Sequence, residues 1–125
     1  MILLYVALGS ALGGVSRFLL GGFIQTRADT SFPVGTLVIN VAGSFVLGFV
    51  ARYAMEVPDF SPASRAFLAA GFCGGFTTFS TFSFESFQLL EAGSYGRATT
   101  YMLTSLLAAL ASTVAGVMLA RQVVE

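Results

Sequence analysis

The chain has 125 residues, 56% hydrophobic and 10% charged, with a mean hydropathy of +0.86, and a soluble domain of this length exposes too much surface to carry so little charge. Its net charge is zero, which gives a nucleic acid no reason to bind, and Lys and His are both absent, so the usual acid, base and nucleophile roles lack their residues. A single cysteine, Cys73, makes neither an internal disulfide nor a metal site.

A bilayer core about 30 Å thick takes about 20 helical residues. Four segments meet that length within one membrane domain spanning 1–125. The first, Ile2–Ile24, has no basic start and no small-residue cleavage site leading into a polar domain, so it reads as a retained span and not a signal peptide. It carries Gly9 and Gly13, four apart, and then Arg17 in GGVSR. Arg17 either snorkels to the headgroups or stands as a cation at the mouth of a pathway. The turn TRADTSFP leads into the second span, Val34–Val57, where Ala42, Gly43, Ser44 and Gly48 crowd together and Asn40 sits in LVINVAG. That amide either bonds a neighbouring helix as glue or lines a pathway as a donor.

PDFSP ends the second span, with Pro58 and Pro62 as breakers and Ser61 as an N-cap that places Pro62 at the first helical position. The third span, Ser64–Leu90, holds Gly71 and Gly75 and then GGFTTFSTFSFE. EAGSYG separates it from the fourth, Ala98–Ala120. The small residues, spaced in fours, predict close helix packing.

Gly74-Gly75 weakens the third span by about 1 kcal/mol per glycine relative to alanine, and the β-branched Thr77 and Thr78 do not restore it. A break near Gly74-Gly75 is therefore predicted. Carbonyls freed there suit a small cation such as Na⁺; a kink re-satisfied by the threonine hydroxyls is the alternative. Beyond it, Phe79 and Phe82 fall about 60° apart around a helix, with Ser80, Thr81 and Ser83 interleaved. Phenyl ring edges are electropositive, so edges beside hydroxyls and an amide suit a small anion. Ordinary packing is the plainer reading of two rings among thirteen Phe. Glu85, a turn later, is either a titrating carboxylate or a polar group near the membrane surface.

Arginine counts set orientation. One side receives Arg52, Arg65 and Arg121; the other receives Arg27 and Arg97, with Arg17 nearer to it. So flat a bias allows insertion both ways and pairing of opposed copies; the plainer reading is that six charges are too few to decide and another signal orients the chain. Four helices also enclose little space, so a pathway calls for an oligomer.

GGFTTFSTFS, GTLVINVAG at 35–43 and GGVSR at 13–17 resemble the Fluc family of fluoride channels, also called CrcB, and the resemblance runs over essentially the whole chain. It implies an all-α inner-membrane protein forming an antiparallel, dual-topology homodimer with two pores, through which fluoride leaves the cytoplasm passively. It implies a Na⁺ at the dimer centre on the backbone carbonyls of Gly74 and Thr77. It further implies pore phenylalanines Phe79 and Phe82, a pore asparagine Asn40, and a polar track of Ser80, Thr81, Ser83, Tyr101 and Ser105. Arg17 matches the vestibule arginine and Glu85 a carboxylate near the end of the track. One departure stands on the fourth span, where some relatives place a serine at the position of Ala109; Ser105 or Ser112 is left to take that role.

Three other readings compete. A small dual-topology, proton-coupled multidrug exporter would use Glu85 as its carboxylate, although the first span holds none. A membrane assembly factor held by glycine faces would pass no ions. An enzyme comes last, for want of catalytic residues.

Overall fold

The computed structural model describes residues 1–125, all helical apart from turns. The helices are α1 (Ile2–Ala28), α2 (Val34–Glu56), α3 (residues 62–76), α4 (Phe79–Glu91) and α5 (Tyr95–Val124). α3 and α4 together make one span, so four helical spans are long and apolar enough to cross a membrane.

Local chemistry ends each helix. Asp29 closes α1 in the left-handed region, φ 49°, its N–H donating to the Gln25 carbonyl. Ser61 caps α3 as expected, its Oγ accepting from Ser64 N–H at 3.0 Å, with Pro62 in the first turn. Gly93, φ 78°, turns the chain between α4 and α5. α1 and α5 run about a turn beyond the spans read from hydropathy, because Gln25, Thr26 and Arg97 stay helical at the polar ends.

The break falls two residues beyond the glycine pair that predicted it. Gly74 and Gly75 are helical, and the chain opens at Thr77 (φ −87°, ψ 157°) and Thr78 (φ −150°, ψ 120°). Gly75 serves packing instead: a Cβ there would stand 3.0 Å from Ser10 Cα on α1. Gly71 does the same against Gly9, 2.9 Å from its Cα, so the small residues of α1 and α3 meet backbone to backbone. Within α3, Ala66–Cys73 winds as a π-helix, which no sequence signal announced. Its wider turns carry the Phe67 and Phe72 backbone onto the Gly9 and Gly13 face of α1.

α1 packs on α3, and α2 packs along α5, where Gly48 admits the Thr113 backbone and Gly116 the Phe45 backbone. Only 20 of the 125 residues are buried. The outer faces are leucine and phenylalanine, among them Leu12 and Phe18 on α1 and Leu106 and Leu110 on α5, which is what contact with lipid requires.

Candidate ion pathway

The break is built by Asn40. Its Oδ1 accepts from the Thr78 N–H at 2.9 Å and its Nδ2 donates to the Thr78 carbonyl at 3.1 Å. A backbone N–H can only meet the oxygen, so the amide has one possible orientation, with a second Nδ2 hydrogen left over. Thr78 then caps α4, its Oγ1 accepting from Thr81 N–H at 3.2 Å and donating to Thr81 Oγ1 at 3.0 Å.

These bonds divert two helical donors. The Thr78 N–H, four residues beyond Gly74, goes to Asn40, and the Thr81 N–H, four beyond Thr77, goes to the Thr78 hydroxyl. The break leaves the carbonyls of residues 74–77 without their helical donors, Gly74 and Thr77 among them. The Gly75 carbonyl between them accepts from Arg17 Nε at 3.1 Å, and the Cys73 carbonyl accepts from Thr77 N–H at 3.0 Å. No cluster of three His, Cys, Asp or Glu side chains exists.

An open groove of about 410 Å³ runs beside the break, bordered by Asn40, Thr78, Phe79, Phe82, Ser105 and Ala109. Phe79 and Phe82 lie 5.7 Å apart at 43°, and Phe82 lies 5.2 Å from Tyr101. Phe79 is 77% exposed, so the chain leaves most of that ring uncovered. Ser105 Oγ is buried and has no partner, whereas Ser112 Oγ donates to the Val41 carbonyl at 2.7 Å. Of the two serines left open by Ala109, Ser105 is thus the one that borders the groove and has an unpartnered hydroxyl, although that oxygen is itself buried.

The remaining candidates lie elsewhere. Arg17 points inward, not to the headgroups, and borders a second cavity of about 240 Å³ with Thr36, Thr81 and Glu85. Tyr101 is fully buried and its hydroxyl donates to Glu85 Oε1 at 3.0 Å. Ser80 and Ser83 are exposed and border none of these cavities; Ser80 Oγ stands 3.5 Å from Thr78 Oγ1. Sequence reading missed Gln25, which fell beyond the predicted end of the first span, and Thr78, whose role depends on Asn40 from another helix.

The fold and the site thus define a multi-pass membrane protein whose polar groups gather around a broken helix. The chain belongs to the family described as CrcB-like protein, Camphor Resistance (CrcB), whose pattern matches residues 4–117. It is similar to proteins named fluoride-specific ion channel FluC: 44% identical to that of Citrifermentans bemidjiense over 95% of this chain and 96% of that protein. The corresponding figures are 44% for Geobacter sulfurreducens, over 96% and 97%, and 42% for Rhizobium meliloti, over 98% of each. These relatives are named as ion channels, which places the chain with transport proteins and not with enzymes.

Proposed function

We propose that this chain is a fluoride-specific channel of the inner membrane, working as an antiparallel, dual-topology homodimer through which fluoride leaves the cytoplasm passively. The observation that carries the reading is a single groove holding two phenyl rings, the spare Asn40 N–H and the unpartnered Ser105 hydroxyl. Fluoride is small and strongly hydrated, so it sheds water only where short-range donors replace it, and a narrow path supplies them to fluoride better than to chloride. Phe79 and Phe82 offer ring edges, Asn40 and Ser105 offer N–H and O–H, and Thr81 continues the donors toward Glu85, which Tyr101 holds; Ser80 and Ser83, exposed on the single chain, would join the track only where a second copy covers them. A second copy facing the exposed Phe79 would close the groove. Opposed copies would also bring their broken helices together, and the carbonyls of Gly74 and Thr77, whose helical donors are diverted, suit a Na⁺ there, which would fix the two protomers to each other.

Fluoride release from liposomes carrying the purified protein, followed with a fluoride electrode against chloride-loaded vesicles, tests the reading. Fast fluoride release without chloride release is expected. No release from a folded dimer would overturn it. Proton-driven cation uptake abolished by Glu85→Gln would establish the exporter reading in its place.

A further inference from the structure

The cavity beside Arg17 does not end at Glu85. A second cavity of about 400 Å³ shares Gln25 and Glu85 with it and opens between the 29–33 and 92–94 turns, where Arg97 borders it. The pathway above uses neither this outer cavity nor Arg97.

Arg97 has no carboxylate partner, the one ion pair in the protein being Arg52–Glu56. Its Nη1 donates to Ser31 Oγ at 2.9 Å and its Nη2 to Thr30 Oγ1 at 3.4 Å, and the guanidinium lies 5.9 Å from the Phe32 ring centroid. All three partners are neutral, so they fix the cation in place without cancelling its charge. The turn that supplies the hydroxyls is itself tied down by Gln25. Its Nε2 donates to the Thr30 carbonyl at 2.7 Å and the Phe32 carbonyl at 2.9 Å, and its Oε1 accepts from Gly35 N–H at 2.8 Å. An anion on this route must pass the Glu85 carboxylate. Arg17 borders the inner cavity, Arg97 the outer one, and Glu85 both, so two guanidiniums and one carboxylate line the neighbouring cavities.

Resting on the channel reading, we propose that Arg97, held by the Gln25-ordered turn, is an outer capture site for small inorganic anions, fluoride among them. Gln25 is a positioning residue: it orders the turn that aims the cation.

The test places the charge after folding. Arg97→Cys is reconstituted in liposomes; Arg97 is exposed and Cys73 is buried, so a thiol reagent reaches position 97 alone. Fluoride release is compared after a cationic and after an anionic methanethiosulfonate, at low and high concentrations of an impermeant salt. At low salt the unlabelled variant should release fluoride about three- to tenfold more slowly than the unsubstituted protein, since a single charge at a mouth acts on the approach of ions. The cationic label should restore the rate and the anionic label lower it further, with the differences shrinking at about 1 M salt, where the Debye length is about 3 Å. Gln25→Ala should show a smaller loss with the same salt dependence. Equal rates under the two labels, or a deficit indifferent to salt, would overturn the proposal while leaving the channel reading intact. No release from the unsubstituted protein would overturn both.

Discussion

Asn40 holds both hydrogen-bonding groups of one peptide residue and still has a hydrogen to give. Asn40→Asp keeps the acceptor for the Thr78 N–H but sets an oxygen against the Thr78 carbonyl, 3.1 Å from the lost donor. We expect it to abolish fluoride release and to destabilise the dimer by about 1–3 kcal/mol, the cost of a buried polar group left unmatched, read as a shift in its thermal melt. Phe79→Ile and Phe82→Ile keep apolar bulk but remove the ring edge. Each should cut fluoride release at least tenfold with the melting temperature of the dimer held, and unchanged release from either would sink the pore assignment. Ser105→Ala removes a hydroxyl that bonds nothing in the protomer, so it should lower flux and leave stability unchanged. At this scale the sequence named the right residue types but not their partners. Ser105 and Ser112 are indistinguishable in the chain, and only the Val41 carbonyl on a facing helix separates them.

At the scale of an element, the broken span rests on one cap and one packed face. Thr78→Ala removes the α4 cap and should cost about 1 kcal/mol, whereas Thr78→Ser should keep most of it. Gly13→Leu would drive a side chain into the Phe72 and Phe76 backbone and should cost about 1–3 kcal/mol or more in stability. Gly22→Ala, with nothing within 4 Å of its added methyl, should be neutral or slightly stabilising. The four spans, the Ser61 cap and the close glycine packing were readable because they depend on local hydropathy and spacing. The position of the break was not. Gly74-Gly75 signals helix weakness, but the weakness is offset by packing against α1, and the opening falls where Asn40 competes for a backbone N–H. The π-helix is set by the fit of α3 onto α1, which no single segment encodes.

For the molecule as a whole, the turning inward of Arg17 sharpens the count that sets orientation. Arg52, Arg65 and Arg121 flank one end, Arg27 and Arg97 the other, while Arg17 bonds the Gly75 carbonyl within the spans. A difference of one charge sets little preference, as the proposed dual topology requires. Adding Asp59→Arg and Glu125→Arg at one end, or Thr26→Arg, Glu91→Arg and Tyr95→Arg at the other together with Arg121→Gln, gives five arginines against two in either direction and should commit each variant to a single orientation. Either alone should then lose fluoride release, and the two expressed together should recover it.

The bond between Asn40 and the break also has a consequence for biogenesis. A ribosome delivers residue 40 before residues 77 and 78, so α2 enters the bilayer with its amide unmatched. It stays so until the third span arrives and surrenders one backbone N–H to it. Neither segment is finished alone, because the Asn40 amide and the Thr78 peptide groups are matched only when both spans are in place. Insertion of this small protein is in that sense a joint event between its second and third spans, and a lesion at Asn40 should appear in the membrane as a third helix that never opens.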